Sequence, residues 1–169
     1  TDKETWSKIN SQKDYFDIKL EDKKLEEKYK LFLKKKFICL HIKDKNYNRI
    51  NEIANISLSD IENHKKALNF FLDKNFNIIR IGDQFSKNFN FHNDNFLDLT
   101  KKKVGLTHYN QAYIFQKCEF FFGNVTPGVY MSRFFAKEFA LTNCPHEDML
   151  YNSFSNSNQN LALFKSIYC

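Results

Sequence analysis

The sequence has few of the residues that break regular structure, with only four Gly and two Pro among 169 residues. It contains no uncharged apolar run near the roughly 18–20 residues that a membrane span needs, so we expect membrane association to be at most peripheral. Its four cysteines form no CxxC pair and no zinc-like spacing, which argues against a disulfide scaffold and a zinc site. Because Cys39 and Cys118 lie inside apolar runs, we predict core thiols and a reducing, cytoplasmic compartment.

Arginine is also scarce, with three Arg beside 23 Lys in a chain of net charge +6. Dense basic runs occur only at Lys34–Lys36 and Lys101–Lys103, and acidic residues are interspersed elsewhere. The charge permits a nucleic-acid groove, but a solvated lysine-rich surface is the simpler interpretation, so we predict no nucleic-acid partner. A hydrophobic content of 42% with 19 Phe excludes a disordered chain, and the length suffices for one domain with a real core.

The apolar pattern divides the chain into an N-terminal helical arm, residues 1–34, and an α/β domain, residues 35–169. In the arm, apolar spacing predicts an amphipathic helix at about 20–34. Predicted strands follow in "KFICLHIKD", "FNIIRIGD", "FLDLT", "EFFFGN" and "EFALTN", and predicted helices in "LSDIENHKKALNFFLDKN", "THYNQAYIFQKC" and residues 127–137. Ser59 or Asp60 is the expected cap of the first of these helices.

Short, uniformly apolar strands that alternate with helices predict a single Rossmann-like domain, with a mostly parallel sheet and helices on both faces. The tail, residues 145–169, is rich in Asn and Ser and has one apolar cluster, "LALFKSIY". In such sheets ligands bind beyond the carboxyl ends of the strands. The informative residues should therefore follow directly after the apolar runs.

The stretch "CEFFFGNVTPG" holds two of the four glycines and one of the two prolines. A strand followed by a helix start presents backbone N–H groups that favour a phosphate. Asn124 or Thr126 can cap that helix, Pro127 suits its first position, and Gly123 and Gly128 would leave room for a ligand. An ordinary capped turn explains the same residues. The predicted diphosphate-binding residues here are Gly123, Asn124, Val125, Thr126, Pro127 and Gly128.

Two further clusters, "HIKD" and "RIGD", end earlier strands. His41 and Lys43 lie at period two, so Lys43 could offer its ammonium to a diphosphate and His41 could hydrogen-bond or transfer a proton. Arg80 sits within an apolar strand and needs an anionic partner, for which Asp83 is the simplest choice within the protein and a phosphate the functional alternative. Gly82 ends that strand and permits close approach. A half-buried His and a Lys at the rim would explain the first cluster without a ligand.

Five motifs, in order and with similar gaps over about residues 36–168, resemble a bacterial family of surface-carbohydrate-biosynthesis glycosyltransferases. "CLHIKDKNY", "SDIENHKKAL", "NIIRIGD", "CEFFFGNVTPG" and "LTN" are similar to its HxRDxxY, RNSDIxNYxxAI, VIRMGD, FFIGTSSG and LTN. The resemblance implies the nucleotide-sugar half of a GT-B enzyme with a fucosyltransferase-like fold. It also implies sugar transfer from a nucleotide-diphosphate donor to a glycan or lipid-linked acceptor, without a cofactor or an obligatory metal.

Carried over by position, the resemblance implies that His41 and Lys43 are catalytic, with Lys43 facing the diphosphate. It implies donor contacts for Arg80, Gly82, Asp83, Gly123, Thr126 and Asn143, and it matches Asp60 and Asn63 to the DIxN motif. Lys43 replaces the family's arginine, and Ser57 and Leu58 stand where the family has Arg-Asn. Pro127 replaces a glycine of the family's loop. The substitutions at Ser57, Leu58 and Pro127 favour an alternative, a non-catalytic α/β interaction module of the same fold. Since a GT-B enzyme has two α/β domains, the acceptor half would be a second domain or a partner chain.

Overall fold

The apolar runs become the strands of one sheet in the computed structural model, which describes residues 19–44, 58–83, 86–100, 107–144 and 160–164. The strands are β1 Phe37–His41, β2 Asn77–Arg80, β3 Phe96–Asp98, β4 Phe120–Gly123, β5 Glu138–Cys144 and β6 Leu161–Phe164. The helices are α1 Lys23–Lys28, α2 Lys30–Leu33, α3 Lys65–Asp73, α4 His108–Lys117 and α5 Pro127–Phe134, and a 3-10 helix, Ile61–His64, precedes α3.

The strand order is β3-β2-β1-β4-β5-β6, and every neighbouring pair is parallel. This is the order of a doubly wound α/β sheet. The prediction of a single α/β domain with a parallel sheet and helices on both faces is therefore confirmed. Strands are added in one direction from β1 to β3 and in the other from β4 to β6, so the topological switch point lies between β1 and β4.

Side chains along each strand alternate between two cores, one on each face of the sheet. Cys39 and Phe121 point to the core covered by α1, α4 and α5, whereas Leu40 and Phe122 point to the core covered by the 3-10 helix and α3. Burial on both faces explains why the central strands β1, β2 and β4 are largely apolar rather than alternating. Cys39 and Cys118 are both buried free thiols, which confirms their predicted place in the core. Burial also raises the pKa of the Cys39 thiol.

Helix starts follow local capping chemistry. Asp60 accepts a hydrogen bond from the N–H of Glu62 and caps the 3-10 helix, which leads directly into α3. Thr107 and Asn110 form a reciprocal capping box at α4. These local signals explain why the element types predicted from sequence are largely those observed.

The first described helices are packed onto the domain. Leu25 of α1 is buried in the same core as Tyr113 of α4. The hydroxyl of Tyr113 donates to the Glu26 carboxylate, and the side-chain amide of Asn110 donates to Asp22. Residues 1–18 of the predicted arm lie outside the described residues, and the predicted boundary at residue 34 stays a prediction.

Two details differ from the sequence-based expectation. The helix predicted at about 20–34 is divided into α1 and α2, with Tyr29 between them outside both helices. The tail contributes a sixth strand, which was not predicted; there Ala162 packs on the core while Leu161 and Leu163 are exposed. Among the described residues, no helix is long and apolar enough to cross a membrane.

Candidate functional site

The switch point brings two of the predicted clusters together. His41, the last residue of β1, lies opposite Gly123, the last residue of β4. Beyond them the chain continues from β1 towards the face of α3 and from β4 towards the face of α5, on opposite sides of the sheet. In doubly wound sheets the divergence of two such connections forms the ligand-binding crevice.

Asn124 bridges this divergence. Its side-chain oxygen accepts from the backbone N–H of Lys43 at 2.8 Å, and its side-chain NH₂ donates to the Lys43 carbonyl at 3.0 Å. The residue is 0% exposed. Both polar ends of its side chain are therefore used within the protein, by the N–H and the carbonyl of Lys43, and a donor contact by Asn124 stays a prediction. Thr126, rather than Asn124, caps the following helix.

The start of α5 is the strongest anion-binding feature at the switch point. Thr126 is the N-cap, its hydroxyl accepts from the N–H of Gly128 at 3.2 Å, and Pro127 is the first helical residue, as predicted. Within the described part of the chain, no hydrogen bond reaches the backbone N–H of Val125 or Thr126. The helix dipole and such amides favour a negative group beside the end of β1.

Packing within the protein requires the two glycines of this loop. A Cβ on Gly123 would overlap the backbone carbonyl of His41, and one on Gly128 would lie 2.9 Å from the Phe121 ring and 3.0 Å from the Phe115 ring. Protein atoms occupy the space on the Cβ side of both glycines, so packing within the protein is enough to require them. A donor contact with their backbone stays a prediction.

His41 and Lys43 are both half-buried at the end of β1. Burial lowers the pKa of His41 to about 4, although nearby Asp83 raises it and Arg80 lowers it further. The imidazole is consequently neutral at pH 7. A neutral imidazole of such low basicity can hydrogen-bond a ligand, but it is a weak proton acceptor and holds no proton to donate as an imidazolium.

Arg80 belongs to an internal ion network. It is 0% exposed, and its guanidinium contacts the carboxylate of Asp98 at 2.8 Å and that of Asp44 at 3.8 Å. It also donates to the backbone carbonyl of Lys87 at 2.9 Å. Asp98 and Asp44, rather than the predicted Asp83, are therefore its ion partners. The guanidinium thus has a structural role within the protein, and the predicted donor contact of Arg80 stays a prediction.

The end of β2 is shaped by the same packing. Gly82 has φ +155°, and a Cβ there would lie 2.6 Å from the Ser86 hydroxyl and 3.1 Å from the Thr100 methyl group. Asp83 is exposed, and its backbone carbonyl accepts from the N–H of Ser86 at 3.2 Å. Both residues therefore shape the turn after β2, and their predicted donor contacts stay predictions.

Lys87 was not singled out in the sequence, because it lies in a polar, Asn-rich loop without a motif. Its ammonium contacts both carboxylate oxygens of Asp60, at 2.8 and 2.9 Å, and this hydrogen bonding raises the pKa of Lys87. Its backbone N–H donates to the buried carboxylate of Asp44 at 2.5 Å. The loop after β2 is thus attached both to the end of β1 and to the N-cap of the 3-10 helix.

The end of β5 is attached to the same region. Asn143 has φ 56°, and its side-chain NH₂ donates to the Leu58 carbonyl at 2.6 Å. His64 is buried between the Asp60 carbonyl, 3.0 Å from Nδ1, and the Thr142 hydroxyl, 2.8 Å from Nε2. Burial lowers the pKa of His64. Asn143 thus braces the segment before the 3-10 helix, and its predicted donor contact stays a prediction.

A cavity of about 320 Å³ lies elsewhere, between α1, α2 and the end of α4, where Glu26, Tyr113 and Lys117 line it. None of the predicted site residues lines it. The switch point is chemically better suited to an anion, because it combines the helix start of α5 with the cationic residue Lys43 at the end of β1. In the part of the chain that the structure describes, no group of three or more His, Cys, Asp or Glu is arranged to hold a metal ion.

No protein-family model matches the chain, and no curated protein matches it. Among solved structures it is similar to the dodecameric iron-containing heptosyltransferase TibC, which was solved in complex with ADP-D-β-D-heptose. The identity is 16% and the TM-score 0.44, over 80% of this chain and 32% of the TibC chain. The chain thus spans about a third of that protein's length. The likeness is one of fold, and membership of the surface-carbohydrate family stays a prediction.

Proposed function

We propose that this chain is the nucleotide-sugar-binding domain of a glycosyltransferase, acting on a nucleotide-diphosphate donor in surface polysaccharide or glycan biosynthesis at the cytoplasmic side of a membrane. One observation carries the proposal: the end of β1, with His41 and Lys43, lies beside the capped start of α5 at the switch point of a doubly wound sheet. Two of the five ordered motifs that resemble the glycosyltransferase family, "CLHIKDKNY" and "CEFFFGNVTPG", include the ends of β1 and β4.

In this proposal the site stabilises the departing diphosphate. As the bond between the anomeric carbon and the diphosphate oxygen breaks, negative charge grows on the leaving group. The Lys43 ammonium and the amides at the start of α5 would stabilise that charge. His41, neutral at pH 7, would hydrogen-bond the donor rather than protonate it. The acceptor hydroxyl and its base would come from a second domain or a partner chain.

Thermal unfolding in the presence of nucleotide diphosphates tests the proposal. UDP, GDP and ADP are each added at millimolar concentration, with inorganic phosphate as the reference anion. A ligand present at 100 times its Kd stabilises the folded state by about 2.7 kcal/mol. For a domain of this size that corresponds to a rise in Tm of roughly 5–10 °C.

Lysine variants make the test specific to the site. Lys43→Met should remove most of the shift in Tm, whereas Lys66→Met, which changes an exposed lysine of α3, should leave it intact. If none of the three diphosphates raises the Tm of the unmodified chain, the nucleotide-sugar proposal is rejected.

A second candidate function is a non-catalytic interaction module of the same fold. The engagement of Arg80 with Asp98 and Asp44 favours it, because a guanidinium held by carboxylates of the protein itself contributes less positive charge to a donor site. A stable fold without any nucleotide binding, together with a specific protein partner, would support this candidate. Measured sugar transfer would dismiss it.

A further inference from the structure

The bridge between Asn124 and Lys43 stands out among the polar contacts of the switch point. A single fully buried side chain pairs with both the N–H and the carbonyl of one residue on the neighbouring connection, 81 positions away in sequence. The carbonyl of Lys43 also accepts from the backbone N–H of Ser59 at 3.0 Å. Three hydrogen bonds therefore fix the peptide groups of a residue that lies outside any strand or helix.

The bridge continues the pairing of β1 with β4 beyond the last strand residues. His41 and Gly123 are the final register pair, and the next connections would separate towards opposite faces of the sheet. The amide of Asn124 takes the place of the missing backbone partner and holds the Lys43 peptide against the connection that leads into α5. The position of the Lys43 backbone relative to that helix start is set by this contact.

We infer that Asn124 is a positioning residue for anion binding: it acts on a nucleotide diphosphate through Lys43 and does not touch the ligand itself. This inference rests on the proposed function and assigns a different role to a residue that the sequence placed among the donor contacts. The buried amide of Asn124 is used by the Lys43 peptide, so its effect on a ligand must pass through the placement of the Lys43 side chain and the adjoining loop.

A double-mutant cycle on the full chain separates positioning from direct contact. The affinity for UDP, GDP and ADP is measured by titration calorimetry for the unmodified chain, Asn124→Ala, Lys43→Met and the double variant. Asn124→Ala alone should weaken the binding of whichever diphosphate binds about tenfold, equivalent to about 1.4 kcal/mol. In the Lys43→Met background the same change should weaken binding less than twofold, because the positioned cation is already absent.

A matched control is available at the other end of the sheet. Asn77 is also buried, at 3% exposure, and its side-chain NH₂ donates to the Phe32 carbonyl at 3.3 Å. Asn77→Ala removes a buried asparagine at the start of β2, away from the switch point. It should lower stability yet change diphosphate affinity less than twofold in both backgrounds.

If Asn124→Ala fails to fold, the cycle is run with Asn124→Ser, which adds no charge beside the anion site, keeps a small polar side chain and is too short to pair with both the N–H and the carbonyl of Lys43. Strong coupling between positions 124 and 43 supports the inference. Equal losses in both backgrounds, or no loss at all, overturn it while the proposed function stands. If the unmodified chain binds none of the diphosphates, the proposed function fails and this inference falls with it.

Discussion

Replacement of Arg80 by Met should destabilise the protein strongly. The guanidinium is 0% exposed and holds Asp98 at 2.8 Å, the Lys87 carbonyl at 2.9 Å and Asp44 at 3.8 Å. Met fills a similar volume but removes the cation that faces the carboxylate of Asp98 and the buried carboxylate of Asp44. Removal of one partner from a buried ion pair costs about 3–5 kcal/mol. Since whole domains are stable by only about 5–15 kcal/mol, the loss should be large in any unfolding assay.

Urea unfolding at pH 7 measures this cost as a shift of the midpoint at constant slope. Arg133→Met, which changes a half-buried arginine of α5, is the control and should cost less than about 1 kcal/mol. Adding Asp98→Asn to Arg80→Met should recover part of the loss, because one uncompensated carboxylate is removed. A cost for Arg80→Met below about 1 kcal/mol, or a selective loss of nucleotide affinity at unchanged stability, would refute the internal role assigned to Arg80.

Other substitutions and a change of pH test separate parts of the account. Gly123→Ala should lower the free energy of unfolding in urea by about 3 kcal/mol, because the added Cβ would overlap the His41 carbonyl. Gly128→Ala should cost less, since its Cβ would meet the edges of phenylalanine rings that can move. Equal stability of Gly123→Ala and the unmodified chain would contradict this prediction. Thr126→Ala removes the N-cap of α5 and should lower the free energy of unfolding by about 1 kcal/mol. An unchanged urea midpoint would show that the cap does not stabilise the protein. The pKa of His41 is lowered to about 4, so between about pH 6.5 and 4 the unfolded chain binds more protons than the folded chain. The free energy of unfolding should therefore fall by up to about 3 kcal/mol as the pH falls through that window. Burial also lowers the pKa of His64, so protonation of His64 should reduce stability in the same direction. A urea unfolding midpoint that does not change between pH 7 and pH 4.5 would contradict both assignments.

The strand, helix and cap pattern could be predicted because it depends on local chemistry. The apolar runs give the five strands from β1 to β5, of which the central β1, β2 and β4 are buried on both faces. Asp60 as a cap, and Thr126 followed by Pro127 at a helix start, follow from the preference of those residue types for those positions. The parallel sheet follows from the alternation of strands and helices.

The partners of the site residues could not be predicted because they depend on register. Arg80 lies directly opposite Asp98 only because β2 pairs with β3 in one particular alignment, 18 residues apart in sequence. Asn124 reaches Lys43 across 81 residues for the same kind of reason, since β1 and β4 are neighbours. The sixth strand, β6, was missed because its short apolar run leaves two leucines exposed on an edge strand, which resembles an ordinary tail.

The account depends most on an anion site formed by the end of β1 and the start of α5. Titration of the ¹⁵N-labelled chain with UDP, GDP or ADP, followed by backbone amide chemical shifts, tests it most directly. We predict saturable shifts centred on Lys43, Val125, Thr126 and Gly128, with little change at Lys117, beside the cavity at the end of α4. Shifts concentrated around that cavity, or none at millimolar diphosphate, would contradict the account.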